Sequence, residues 1–294
     1  MKNDQASSTA YTVLQGILHV AQASPYSYLV EDEVVELGQQ ILQGTEEGRK
    51  RLKQLATPMF TWSVKFRERL VLPGITLHYI LRKRHVEAIS QQAIEEDGVT
   101  QVVMLGAGFD TLSWRFHKRY PHVNFIEIDH PATQKAKVAG LNPGGASNMH
   151  FLSVDFAHQT LQHELSHFAG FEPERKTLFI CEGVMMYLPE QAVHVLFQSI
   201  RALTGAGSLF LFSTLEPRNS PRNTIPSLLY YHLKLIGEPI AWSIGSERMA
   251  DFIQQHDCEL KSLAGRDALL ERFVKDDRKL HLHSGEYFTL CEYK

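Results

Sequence analysis

Glycines and acidic residues recur in the middle of this chain where short apolar runs end. The run Val102–Leu105 leads into Gly106–Gly108, and three later runs end at or beside Asp129, Asp155 and Glu182. Glycines let a backbone approach a ligand closely, and carboxylates accept hydrogen bonds from hydroxyl and amino groups. The set therefore indicates a binding site for a small ligand that carries several hydroxyl or amino groups.

The glycine turn is typical of a strand that ends at a nucleotide-like ligand. Gly106 and Gly108 follow a buried strand and precede a helix, whose first N–H groups are free to bind a ligand. A dinucleotide fingerprint has a third glycine three residues later, where this chain has Thr111, so NAD and FAD are disfavoured. A tight strand-to-helix turn without a ligand is the alternative.

Asp129 lies 21 residues after Gly108, at the predicted tip of the second strand. A carboxylate at this place is suited to the two hydroxyl groups of a ribose. Glu127 is the second candidate for that role. Asp129 also fits a helix N-cap before Pro131, and the two roles are compatible.

Two further acidic residues end the next apolar runs. Asp155 with Phe156 is suited to an amino-substituted purine, through one hydrogen bond and ring stacking. The alternative is that Asp155 caps a helix beginning at 157. Glu182 follows the fourth run, and the carboxyl ends of parallel strands share one edge of a sheet. We therefore expect these acids to lie close together.

Short apolar runs alternate with helical stretches after residue 98, whereas the chain before it has helical spacing. This order predicts an α/β fold: a Rossmann-like, seven-stranded, mostly parallel sheet with helices on both faces. The last two strands are expected to form an antiparallel edge pair. The predicted strands are Val102–Leu105, Val123–Ile128, His150–Val154, Thr177–Cys181, Ser208–Ser213, 258–263 and 286–291.

The predicted organisation has two parts. Residues 1–85 form an N-terminal helical cap packed on the core, and residues 86–294 form the ligand-binding core. The segment 214–245, rich in proline and aromatic residues, is expected to be an insertion over the carboxyl-terminal edge of the sheet. The cap and this insertion, with Tyr230, Tyr231 and Trp242, are expected to roof the ligand.

Composition excludes several classes of protein. The chain has 294 residues and a formal net charge of −3, which provides no basic field for a nucleic acid. Three widely spaced cysteines exclude a disulfide framework. The chain shows neither a signal peptide nor an apolar run long enough to span a membrane. We therefore expect a cytoplasmic protein with no nucleic acid or membrane partner.

The stretch His163–His167 matches the HExxH pattern of zinc proteases. Leu161, Leu165 and Phe168 make an apolar stripe there, and the two histidines lie off it. No third ligand is evident on a nearby helix. We therefore expect no metal site.

Taken together, the motifs LGAGFDT, EIDHPATQ, VDF and EGVMMYL resemble those of the leucine carboxyl methyltransferase family, over about residues 75–215. This family uses the class I fold of S-adenosylmethionine-dependent methyltransferases. The resemblance implies S-adenosylmethionine as the cofactor. Many members have an arginine after Asp-Thr, where this chain has Leu112.

The resemblance also implies roles for individual residues. Gly106 and Gly108 would lie beside the methionine part of the cofactor, Asp129 at the ribose, Asp155 and Phe156 at the adenine, and Glu182 near the amino end. The same motifs bring Ala107, Asp110 and His130 into the cofactor site. An arginine before the first strand pairs with the cofactor carboxylate in this family; Arg82 is our choice and Arg84 the alternative.

The resulting functional expectation is an S-adenosylmethionine-dependent O-methyltransferase that acts on a hydroxyl or carboxyl oxygen of a small molecule. A carboxylate acceptor needs no base. For a hydroxyl acceptor the candidates are Tyr187, His130 and His232, and Tyr187 is our candidate catalytic residue. The alternatives are methylation of a protein C-terminal carboxyl group, or a non-catalytic module that binds the cofactor.

Overall fold

A seven-stranded sheet forms the centre of the protein. The computed structural model describes residues 6–70, 72–156, 158–235, 237–275 and 282–294. The strands are β1 (Gln101–Leu105), β2 (Asn124–Asp129), β3 (Met149–Ser153), β4 (Thr177–Cys181), β5 (Leu209–Leu215), β6 (Cys258–Gly265) and β7 (Glu286–Tyr293). Each begins within two residues of its predicted start.

The strand order is β3-β2-β1-β4-β5-β7-β6. Strands β1 to β5 are parallel, and β7 pairs antiparallel with both β5 and β6. The predicted mostly parallel sheet is confirmed. The expected antiparallel edge pair is also confirmed, with β7 between β5 and β6 and β6 outermost.

Helices cover both faces of the sheet, as predicted. They are α1 (Ser8–Ala23), α2 (Asp32–Gln43), α3 (Glu46–Leu55), α4 (Pro58–Leu70), α5 (Ile75–Glu95), α6 (Leu112–Arg119), α7 (Pro131–Leu141), α8 (Leu161–Ser166), α9 (Glu190–Leu203), α10 (Ser227–Leu235), α11 (Met249–Gln254) and α12 (Arg266–Phe273). Successive strand residues point to opposite faces, so Val102 and Val103 belong to two separate apolar clusters. Within the described residues, no helix combines the length and hydropathy needed to cross a membrane.

The N-terminal helices pack on one face of the sheet. Leu14, Ile41 and Leu81 share an apolar cluster with strand residues such as Met104 and Ile180. Helix α5 is continuous from Ile75 to Glu95, so the predicted division between residues 85 and 86 falls inside a helix. The division into two parts stays a prediction.

The segment 214–245 begins inside β5 and contains α10. Its far end is tied to the loop after β4, because Ala241 and Trp242 donate their N–H groups to the carbonyl of Met186, at 2.8 and 3.1 Å. Ile244 donates to the carbonyl of Leu215 at 3.1 Å. The segment therefore lies beside the carboxyl ends of β4 and β5.

His85 on α5 is a buried titratable group with an unpaired ring nitrogen. Its ring lies 4.9 Å from that of Phe288 on β7, and its Nδ1 has no hydrogen-bond partner among the described residues. Burial, together with the charge of Arg272, lowers the pKa of His85 to about 4. In the unfolded chain the His85 imidazole takes up a proton near pH 6.5, whereas in the folded protein it does so only near pH 4. Acidification therefore favours unfolding.

We predict that His85→Leu flattens the pH dependence of stability. Because the unfolded state binds the proton first as the pH falls, wild type should lose about 2 kcal/mol more unfolding free energy than the variant between pH 7.5 and 5.0. Urea unfolding at the two pH values measures the difference. His122→Leu, at an exposed position, is the control. Equal pH dependence in wild type and His85→Leu would contradict the assignment.

Candidate active site

A cavity of about 730 Å³ lies at the carboxyl ends of the parallel strands. The eleven residues that were the first choices for the cofactor-binding and catalytic roles all line it. They are Arg82, Gly106, Ala107, Gly108, Asp110, Asp129, His130, Asp155, Phe156, Glu182 and Tyr187. The sheet thus brings together residues that are up to 105 positions apart in the sequence, while the role of each residue stays a prediction.

The turn after β1 requires glycine at position 106. Gly106 has a φ of +70°, and a Cβ there would lie 2.5 Å from a methyl group of Val184. Its N–H donates to the carbonyl of Ile128 at 2.8 Å, which draws the turn against the end of β2. A side chain at this position would therefore push the turn off the loop that follows β4.

Asp129 ties the end of β2 to the glycine turn. Its Oδ2 accepts from the N–H of Gly108 at 2.5 Å, and its Oδ1 accepts from the N–H of His130 at 2.7 Å. Burial raises the pKa of Asp129 despite these two hydrogen bonds. A carboxylate accepts about four hydrogen bonds, so Asp129 retains capacity for two ligand hydroxyl groups.

Two alternative roles considered for this strand end were wrong. The N-cap of α7 is His130, whose Nδ1 accepts from the N–H of Ala132 at 3.3 Å, and not Asp129. Glu127 does not line the cavity; it is fully buried and pairs with Lys137 at 2.5 Å. Burial raises the pKa of Glu127 although Lys137 opposes this. Glu127 is therefore part of the protein interior and not of the cavity wall, because α7 covers it.

Asp155 and Phe156 follow β3 at the far end of the cavity. The N–H of Asp155 donates to the side chain of Gln159 at 2.8 Å, and the ring of Phe156 is 42% exposed. The alternative role of Asp155 as a helix cap is wrong, because α8 begins at Leu161 and Thr160 caps it. An exposed ring beside a carboxylate is free to stack on a ligand.

A buried ion cluster forms the opposite wall. Glu182 after β4 pairs with Arg82 at 2.9 Å and with Lys83 at 3.0 Å. Arg82 also contacts Glu286 at 3.3 Å, and Lys83 contacts Asp110 at 2.6 Å. Burial alone would raise the pKa of Asp110 and of Glu286, but the nearby cations hold each at about 2. Both are therefore ionised at neutral pH.

A second ion cluster lies where α2, α5 and α6 meet. Arg84, the alternative to Arg82, pairs with Glu31 at 2.7 Å and with Glu87 at 3.1 Å. Arg115 contacts the same two acids, at 3.0 and 2.5 Å. Arg115 lies one turn after Leu112, and it lines the cavity. Both arginines therefore have carboxylate partners.

The remaining wall belongs to the N-terminal helices and the loops around Tyr187. The apolar lining on this side comes mainly from Val13, Leu14, Ile17, Leu29, Val30, Val34 and Ile80. Among the described residues of segment 214–245, only 237–239 line the cavity, including Glu238. The expected aromatic roof was wrong: Trp242 is buried in the core, and Tyr230 accepts a hydrogen bond from Asn223 at 2.7 Å. The His232 side chain lies outside the described residues.

The sequence analysis missed Glu31, Glu87, Arg115 and Glu238. Glu31 and Glu87 lie in a charge pattern that is common on exposed helix faces, so the sequence did not distinguish them from surface residues. Glu238 follows a glycine in a loop, and its approach to Tyr187 depends on the return of that loop to the sheet. Only the three-dimensional arrangement identifies these residues.

The HExxH stretch has an ordinary local role. Helix α8 spans only Leu161–Ser166, and the ring of His167 hydrogen-bonds to the carbonyl of His163 at 2.7 Å. Across the part of the chain that the structure describes, no group of three histidine, cysteine or acidic side chains is arranged to hold a metal ion.

Two solved structures share this fold. A protein from Thermobifida fusca, titled a "putative methyltransferase", has a TM-score of 0.62 and 15% identity, covering 87% of this chain and 94% of that one. A duf574 family protein from Streptomyces avermitilis has a TM-score of 0.61 and 11% identity, covering 99% and 98%. These likenesses show the fold, a mostly parallel sheet covered by helices on both faces.

Sequence relatives match a shorter stretch. A protein of Mycobacterium tuberculosis, named a "putative S-adenosyl-L-methionine-dependent methyltransferase", is 37% identical over 117 residues, 38% of this chain and 32% of that one. A Mycobacterium avium protein of the same name is 34% identical over 125 residues, 41% and 38%. The match thus spans about a third of these relatives.

The family model for leucine carboxyl methyltransferase matches residues 21–201, well over half of the chain. The chain belongs to the leucine carboxyl methyltransferase family.

Proposed function

We propose that this protein is an S-adenosylmethionine-dependent O-methyltransferase that acts on a hydroxyl or carboxyl oxygen of a small molecule. The observation that carries the proposal is the convergence of the glycine turn, Asp129, Asp155 and Glu182 in one cavity. Its volume of about 730 Å³ has room for a nucleoside cofactor and an acceptor together. Family membership and the names of the relatives support methyl transfer.

The cavity residues fit the parts of the cofactor in sequence along the sheet edge. Asp129 accepts hydrogen bonds from the ribose hydroxyls, and Asp155 accepts one from the adenine amino group while Phe156 stacks on the ring. At the other end Arg82 donates to the cofactor carboxylate, and Glu182 accepts from its ammonium group. The buried cluster presents both signs of charge there, as a zwitterionic amino acid requires.

Methyl transfer requires the protein to position the cofactor and the acceptor more than to activate them. When bound, the cofactor supplies a methyl group on a sulfonium centre, which is ready for in-line displacement. The glycine turn and the loop after β4 hold the sulfonium end, and the apolar residues of α1 and α2 exclude water. The reaction of an oriented acceptor oxygen with the methyl carbon is then effectively a unimolecular step.

The structure favours a small acceptor over a protein tail. A protein C-terminus is best bound in an open groove with free positive charge. Arg222 in segment 214–245 is instead held by Glu216 at 3.2 Å and by Glu247, and Arg218 lies over the ring of Tyr230. The apolar wall of the cavity is suited to a compact organic molecule.

Transfer of a labelled methyl group tests the proposed function. The protein is incubated with methyl-labelled S-adenosylmethionine and separated small-molecule and protein fractions of the cells that produce it. We expect label in the small-molecule fraction. Label only on a protein C-terminus, or no transfer together with no binding of S-adenosylhomocysteine by calorimetry, would contradict the proposal.

We predict that Asp129→Asn weakens binding of S-adenosylhomocysteine. The amide loses the charge and one acceptor oxygen, so the cost should be about 1.5–3 kcal/mol, a roughly 10- to 150-fold rise in Kd. Calorimetry measures the Kd, and Asp251→Asn on the exposed face of α11 is the matched control. If the variant stays folded and binds S-adenosylhomocysteine as tightly as wild type does, Asp129 is not part of the cofactor site.

We predict that Arg82→Lys also weakens cofactor binding, by roughly tenfold, because lysine lacks the planar fork that grips a carboxylate with two parallel hydrogen bonds. The ammonium group retains the charge beside Glu182, so the fold should survive, as thermal unfolding will check. Arg84→Lys is the comparison and should change the Kd little. The reverse order of effects would transfer the role to Arg84.

A further inference from the structure

Glu238 is a carboxylate in the cavity to which the proposed function assigns no part of the cofactor. It lies on the wall formed by the N-terminal helices and the loop after β4, with Tyr187 and Thr9. Its Oε2 accepts a hydrogen bond from the hydroxyl of Thr9 at 2.5 Å, and its N–H donates to the carbonyl of Leu233 at 2.9 Å. Among the described side chains, no cationic nitrogen lies within 4 Å of it.

The charges around the cavity are unequal. Seven carboxyl groups and four cationic side chains line its described part. All four cations have carboxylate partners: Arg82 and Lys83 share Glu182, while Arg84 and Arg115 share Glu31 and Glu87. The lining therefore holds no cation without an acidic partner that would neutralise a second anion beside the cofactor.

This imbalance distinguishes between the two kinds of acceptor oxygen. A carboxylic acid enters as an anion at neutral pH, so the excess negative charge repels it, and the half-buried Glu238 adds to this repulsion where water screens charge less than in bulk solvent. A neutral hydroxyl compound meets no such barrier, but its proton must leave as the oxygen is methylated.

We propose that the acceptor is a neutral hydroxyl compound with an apolar body, and that Glu238 accepts the hydroxyl proton. The inference rests on the proposed methyltransferase function. The hydroxyl oxygen bonds to the methyl carbon as the carbon–sulfur bond breaks, and that electron pair goes to sulfur. The O–H proton passes to the carboxylate of Glu238, so the products are a methyl ether and S-adenosylhomocysteine, and the proton is later released to water.

The neighbours of Glu238 fit this role. The hydrogen bond from Thr9 fixes one oxygen of the carboxylate and ties it to α1. Burial, with a contribution from the charge of Glu238, raises the pKa of Tyr187, so its phenol remains protonated. Tyr187 is therefore a hydrogen-bond donor to the acceptor rather than the base. The apolar body of the acceptor packs on Val13, Leu14, Ile17 and Val34.

The linkage of the transferred methyl group tests the acceptor class. The labelled small-molecule product is treated with alkali, which releases labelled methanol from an ester and leaves an ether intact. We expect the label to survive. Release of labelled methanol would overturn the inference while leaving the methyltransferase function in place, whereas failure to transfer any label would contradict the proposed function itself.

The variant Glu238→Gln tests the base. The amide keeps the size of the side chain and its bond from Thr9 but takes up no proton, so kcat should fall by about 10²- to 10⁴-fold. The Kd for S-adenosylhomocysteine should stay within about twofold, which shows that the variant is folded. Glu259→Gln, exposed on β6, is the matched control and should retain wild-type kcat. A Glu238→Gln enzyme with kcat within about threefold of wild type would overturn the role.

Discussion

The ion pairs that Glu182 makes with Arg82 and Lys83 connect helix α5 to the end of β4. Through Asp110 and Glu286, the same cluster connects α5 to the segment after β1, to the end of β4 and to β7. Buried charges cost several kcal/mol without partners, and removal of one partner from such a cluster costs about 3–5 kcal/mol. The cluster therefore holds Arg82 and Lys83 of α5 at the carboxyl edge of the sheet, where both residues line the cavity.

The same cluster determines the electrostatics of the cavity. Because Arg82 and Lys83 are already neutralised, they balance charge within the wall instead of making the cavity basic. The second cluster, around Arg115, does the same on the side of α2. The net negative lining suits a cofactor that carries a sulfonium and an ammonium group against one carboxylate. The proposal that the acceptor is a neutral hydroxyl compound follows from the same balance of charge.

Sequence reasoning identified the features that depend on local pattern. Strand ends, the glycine turn and the acids after β2, β3 and β4 were found because apolar runs and their terminators are local signals. Side-chain partners were not identified, since they depend on distant segments: Glu238 and Thr9 are in contact although they are 229 positions apart in the sequence. Glu127 and Asp129, two residues apart on one strand, were likewise separable only once α7 was seen to cover the former.

The predicted cap and core meet inside α5, and this placement has a mechanical consequence. Arg82, Lys83 and Arg84 line the cavity, while the next residue, His85, packs against Phe288 on β7. Successive residues of a helix point about 100° apart, so one turn of α5 serves both the cavity wall and the packing on the sheet. A displacement of the N-terminal helices that moved α5 would break the Glu182 cluster. The N-terminal wall of the cavity and the Glu182 cluster are therefore joined through α5.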